Sequence, residues 1–130
     1  MRTIALLLLA LVIVGCGGGD EPPRQSTTTT RLVSDSGTGN GVSADFTVPA
    51  GCNRQLVEYE ATSEEPGEGL GLLHIWPFTV DGERADVSVS SPEVDEQPSG
   101  SGYWSLPPGE YYAETDVRFL AEWRYSVTCR

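Results

Sequence analysis

Three cysteines, Cys16, Cys52 and Cys129, and a single histidine, His74, are the residues of this 130-residue chain with most capacity for nucleophilic or metal chemistry. A Ser/His/Asp or Cys/His constellation needs an imidazole as its base, and His74 is the one histidine that can serve. It lies between Leu73 and Ile75 in an apolar run, the setting of a structural histidine on a strand. Ser101 and Ser105 lack the G-x-S-x-G elbow that presents a serine nucleophile. The cysteines form no CxxC pair, so with one histidine they do not make up a zinc site. No phosphate-binding loop or dinucleotide-binding glycine pattern occurs. The chain holds 19 Asp and Glu residues, so neighbouring carboxylates arise from composition and do not mark a hydrolytic pair. The expectation is a protein without catalytic residues and without a cofactor.

Charge and aromatic residues leave binding as the alternative. A formal net charge of −11 argues against nucleic acid, whose phosphates need a basic surface. The acids group as Glu64, Glu65 and Glu68 with Asp81, Glu83 and Asp86, or as Glu93, Asp95 and Glu96. Such groups offer oxygen ligands to calcium or attraction to a cationic protein, but no EF-hand or nonapeptide calcium motif is present. The plain reading is a solvated acidic surface. Trp76, Tyr103, Trp104, Tyr111 and Tyr112 are candidates for a sugar-stacking platform. Strand alternation sends Tyr111 and Tyr112 to opposite faces, and likewise Tyr103 and Trp104. The candidate ligand-facing residues are Trp104, Tyr112 and Trp76, with the others in the core.

What positions these residues begins at the N-terminus. Met1 and Arg2 precede an apolar stretch, Thr3 to Val14, of about 12 residues, shorter than the ~20 of a spanning helix and suited to the h-region of a secretory signal. The next residues, Ile13-Val14-Gly15-Cys16, resemble the bacterial lipobox. That resemblance implies a lipoprotein signal peptide over 1–15 and an acylated Cys16, with no thiol left for catalysis. Two or three acyl chains anchor firmly where one binds only marginally. Residues 16–41 are rich in Gly, Ser, Thr and Pro and read as a flexible tether. Gly17 follows Cys16 where an acidic residue favours inner-membrane retention in Gram-negative lipoproteins of this kind. The location implied is the cell envelope, outside the cytoplasm, on the outer membrane or cell surface.

With Cys16 acylated, Cys52 and Cys129 have each other as partner in an oxidising compartment. Their bridge closes a loop of about 77 residues and contributes roughly 4 kcal/mol in the chain-entropy model. Residues 42–130 then form a small domain whose periodicity is that of strands. Val42, Ala44, Phe46 and Val48 alternate with polar residues, as do Val57, Tyr59 and Ala61. Leu70 to Val80 is a longer apolar run that Pro77 bends or places at an edge, and Asp81-Gly82 marks a hairpin turn. Val87 and Val89 mark a short strand, Ser91 to Gly102 a polar loop, and Tyr103–Leu106, Glu110–Thr115 and Ala121–Cys129 the last strands. About seven short strands with turn residues between them predict an all-β domain, a small antiparallel β-sandwich of jelly-roll or Ig-like type.

The order FTVPAGC, VDGE, YWSLPPGEYYAE and AEWRYSVTC is similar to small exported bacterial sandwich domains and to bacterial pre-peptidase C-terminal domains, in which a Pro-Gly-x-Tyr turn begins a late strand. The likeness spans about 90 residues and rests on Phe46, Gly51, Gly109, Tyr111 and Trp123, which it implies are architectural. Pro108 and Trp76-Pro77-Phe78 depart from it. It implies a fold and no activity. The expected function is a membrane-anchored, non-catalytic binding or envelope-interaction module whose partner is an envelope protein or a glycan. The alternatives are an envelope hydrolase or its accessory subunit, and an acidic inhibitor of a cationic envelope-active enzyme.

Overall fold

The computed structural model describes residues 30–68 and 70–130. The signal peptide, Cys16 and the tether up to residue 29 lie outside the described residues. The strands are β1 (Arg31–Gly37), β2 (Gly41–Val42), β3 (Phe46–Val48), β4 (Gln55–Ser63), β5 (Leu72–Thr79), β6 (Val89–Ser90), β7 (Ser99–Trp104), β8 (Gly109–Arg118) and β9 (Leu120–Cys129). They form a four-stranded sheet in the order β1-β9-β4-β7 and a five-stranded sheet in the order β2-β8-β5-β6, with β3 also on β8. Every pairing is antiparallel, so the expected all-β sandwich is the fold.

Alternation builds the core between the sheets. Val57, Tyr59 and Ala61 of β4 and Trp123, Tyr125 and Val127 of β9 are buried on one side. Leu73 and Ile75 of β5, Tyr111 and Ala113 of β8 and Phe46 and Val48 of β3 are buried on the other. The intervening Glu58 and Glu60, and His74 and Trp76, face outward. Pro77 is tolerated inside β5 because it faces the edge beyond β6, where its carbonyl accepts from the Ala85 N–H at 3.0 Å and β6 itself pairs only with His74 and Ile75, so no regular strand there calls on the missing N–H.

Three segments differ from the sequence expectation. The tether does not run to Gly41, because Arg31–Gly37 is strand β1, laddered to β9. Only Val33 of β1 is buried, so its sequence carries little apolar alternation. Instead, glycines at its end and at the start of β2 close over an indole. A Cβ on Gly37 or Gly41 would lie 2.8 or 2.9 Å from the Trp123 ring, and Trp123 Nε1–H donates to the Gly39 carbonyl at 2.7 Å. Glycine here permits close approach of the backbone to the ring.

The expected strand from Val42 to Val48 is divided into β2 and β3 on the same edge of β8. Between them the Ser43 N–H donates to the Ala113 carbonyl, and the Ser43 hydroxyl accepts from the Ala113 N–H at 2.8 Å. The side chain replaces part of the ladder. Finally, β7 starts at Ser99, within the expected loop. Gly100 and Gly102 face inward, where the Tyr59 ring and the Val89 side chain occupy the space their own side chains would take. Neighbours thus supply the apolar surface that the Ser-Gly-Ser-Gly sequence lacks.

The Cys52–Cys129 disulfide is present and joins the β3–β4 loop to the end of β9. Beside it, the fully buried Gln55 binds across strands. Its Oε1 accepts from the Leu106 N–H at 2.8 Å, and its Nε2 donates to the Cys52 carbonyl at 2.9 Å and the Leu106 carbonyl at 3.3 Å.

Candidate ligand-binding face

The solvent face of the second sheet carries aromatic residues where a sandwich ordinarily presents polar ones. On β5, burial of Leu73, Ile75 and Pro77 turns His74, Trp76 and Phe78 outward, each half-buried. On β8, burial of Tyr111, Ala113 and Thr115 turns Tyr112, Glu114 and Asp116 outward. The register then sets Phe78 beside Tyr112, Trp76 beside Glu114 and His74 beside Asp116. Cross-strand neighbours of this kind are close enough for their side chains to pack.

The rings are ordered by one another. Phe78 and Tyr112 lie nearly parallel, 9° apart with centroids at 5.4 Å. His74 meets Trp76 edge-on, with centroids at 4.4 Å. Arg84, brought to β5 by its bridge to Phe78, places its guanidinium 4.8 Å from the Trp76 centroid, a cation–π distance. Burial holds the His74 imidazole below its ordinary pKa, with Asp116 acting upward and Arg84 downward. At neutral pH it is an uncharged ring whose Nε2 is buried without a protein partner.

Trp76 stands as a ridge between two shallow depressions. One, of about 500 Å³, is bounded by Trp76, Glu114, Asp116, Asn40 and Val42. The other, of about 310 Å³, is bounded by Trp76, His74, Arg84, Asp86 and Ser88. Hydrogen-bonding groups therefore adjoin the indole on both sides, with the Arg84 guanidinium over the ring on the side of the smaller depression. The first sheet's outer face is different in kind. It is a polar groove of about 770 Å³ lined by serines, including Ser34, Ser99, Ser101 and Ser126, with Glu58 and Glu60. Arg124 pairs with Glu60 across it, an exposed ion pair of small energetic value.

Of the expected ligand-facing residues, Trp76 and Tyr112 share one face and Trp104 does not belong to it. Trp104 is fully buried. It sits opposite the inward-facing Gln55 in the β4–β7 register, so alternation puts Tyr103 outside in its place. Tyr103 is 51% exposed at the far end of the first sheet, with Arg54 stacked on it at 4.0 Å. Likewise Tyr111 is buried, its hydroxyl donating to the Pro107 carbonyl at 2.7 Å, and Tyr112 is outside. His74, Phe78 and Arg84 join the face without having been singled out for it. The period-two spacing of His74, Trp76 and Phe78 was a usable signal, but the apolar residues between them made the stretch read as one continuous run.

Among the described residues no group of three or more His, Cys, Asp or Glu side chains is placed to hold a metal ion. Of the acids named for calcium, Asp86 alone borders the depressions beside Trp76. Comparison with known proteins finds no matching family model. The chain is similar to Minor tail protein Gp6 of Mycobacterium phage L5, 41% identical over 71 residues, which is 52% of this chain. That stretch spans 21% of the phage protein, so the likeness is to a part of it.

Proposed function

We propose that this chain is a non-catalytic binding module of the cell envelope, held to a membrane by acyl chains on Cys16 and engaging its partner through the outer face of the second sheet. The observation that carries the reading is the row of His74, Trp76 and Phe78 beside Tyr112, half-buried on the outer face of the sheet, with Phe78 stacked on Tyr112 and His74 edge-on to Trp76. Aromatic side chains with one apolar side and a polar neighbour are well suited to recognition surfaces. The stretch similar to part of a phage tail protein fits a structural or binding role. The anchor rests on the lipobox-like Ile13-Val14-Gly15-Cys16.

Capture from native envelope extract by the full chain with its disulfide formed tests the binding face. A partner retained by the wild type and lost from Trp76→Ala and Tyr112→Ala supports it, and equal retention by these variants overturns it. Incorporation of labelled fatty acid, abolished in Cys16→Ser, tests the anchor. Absence of label in the wild type overturns that part.

A further inference from the structure

The two depressions beside Trp76 share a chemical character that narrows the ligand. On the β8 side, Glu114 and Asp116 offer acceptors. The Asn40 amide nitrogen offers a donor there, its Oδ1 already accepting from the Val117 N–H at 2.9 Å. On the other side Arg84 donates, Asp86 accepts and Ser88 does both. A wholly apolar partner would strip water from these groups without replacing their hydrogen bonds. A polyanion would meet Glu114, Asp116 and a chain of net charge −11. A polycation would meet Arg84, already seated over the indole.

A sugar ring meets both requirements. It has a flat C–H surface for an aromatic ring and a rim of hydroxyls that donate and accept without charge. We propose that this face binds a neutral glycan chain, laid across Trp76 with one sugar unit in each flanking depression. The proposal rests on the reading of this face as the module's ligand surface, and it names the ligand class. The depressions, about 500 and 310 Å³, lie in the range of small-molecule sites. The Phe78–Tyr112 pair continues the aromatic track two residues further along the strands, roughly 7 Å from Trp76 at the rise of a β-strand.

The molecule carries its own reporter. Of its three tryptophans, Trp104 and Trp123 are 0% and 3% exposed, so Trp76 is the one a ligand reaches. Intrinsic emission of the full chain is titrated with neutral hexasaccharides of the glucose, mannose, galactose and N-acetylglucosamine series. A polygalacturonate hexasaccharide is the charged control. The expected result is a saturable change with at least one neutral series, insensitive to salt, at least tenfold weaker in Tyr112→Ala, and absent with polygalacturonate. Calorimetry extends the comparison to Trp76→Ala, and near-ultraviolet circular dichroism verifies that both variants are folded.

Failure of every neutral series to bind the wild type, or undiminished binding by the folded variants, overturns the glycan assignment. Running the same variants through the envelope capture separates the two readings. A partner still lost from Trp76→Ala and Tyr112→Ala, with no saccharide binding, overturns the glycan and keeps the face. A partner retained by them overturns both.

Discussion

Replacing Gln55 with leucine tests whether a buried amide holds the disulfide-bearing end of the sandwich together. Gln55 is fully buried and makes contacts at 2.8, 2.9 and 3.3 Å to the Leu106 N–H, the Cys52 carbonyl and the Leu106 carbonyl. Leucine is close in volume, so the substitution leaves little cavity and isolates the polar loss. It strands one buried N–H and removes a donor from two carbonyls. Leaving a buried group unsatisfied costs about 1–3 kcal/mol, with the amide N–H the most demanding of the three because it has a single bond to make. The expected destabilisation is about 3 kcal/mol, a large part of the ~5–15 kcal/mol typical of a domain. Urea unfolding of the oxidised protein, with the slope held in common, reads it directly. The wild-type disulfide remains in both proteins, so the difference belongs to the amide. A loss below about 1 kcal/mol would refute the reasoning, because it would mean water or a shift of the Leu106 backbone replaces all three bonds.

Other expectations follow from the same geometry. Gly41→Ala and Gly37→Ala push a methyl to within 2.9 and 2.8 Å of the Trp123 ring and are expected to cost about 1–3 kcal/mol as overpacking does, with a red-shifted tryptophan emission. Unchanged stability and emission would rule out the glycine clasp. Loss of the Cys52–Cys129 bridge in a double serine variant lowers stability by about 4 kcal/mol for its 77-residue separation, read as a drop in urea midpoint. Burial pushes the Tyr125 phenol from its ordinary pKa of 10.0 up to about 12, with the Ser43 hydroxyl pulling the other way. Its folded pKa is therefore above the unfolded one, and its contribution is intact below pH 10 and lost as pH rises toward 12. Each pH interval of one between those two values is worth about 1.4 kcal/mol, so the fall reaches about 3 kcal/mol. Stability measured across that range declines in the wild type and much less in Tyr125→Phe.

Strands whose own residues alternate between apolar and polar were legible in the sequence. Val57, Tyr59 and Ala61, and Trp123, Tyr125 and Val127, announced β4 and β9 because each residue faces the core it helps to build. β1 and β7 were hidden for a common reason. The surface that buries them belongs to other strands, to Trp123 over Gly37 and Gly41 and to Tyr59 and Val89 over Gly100 and Gly102. Composition alone assigns such stretches to linker or loop. The corner from β8 to β9 was similarly silent, since it turns through Phe119 at φ 55° with no glycine or proline to mark it.

The candidate face was half legible. Alternation showed that one member of each aromatic pair must be outside, and the structure chose Tyr103 over Trp104 and Tyr112 over Tyr111. Register made that choice, because Trp104 follows the inward orientation of Gln55. That Trp76 and Tyr112 share a face depends on the β5–β8 pairing, a long-range fact that local periodicity does not contain.

Hydroxyl-radical footprinting of the full chain, with and without native envelope extract, tests the ligand face most directly, since aromatic side chains of both sheets are read in one experiment. Protection is expected at Trp76, Phe78 and Tyr112, with Tyr103, 51% exposed on the other sheet, reacting as before. Protection confined to Tyr103 and the serine-lined groove, with Trp76 and Tyr112 unchanged, would contradict the assignment of that face.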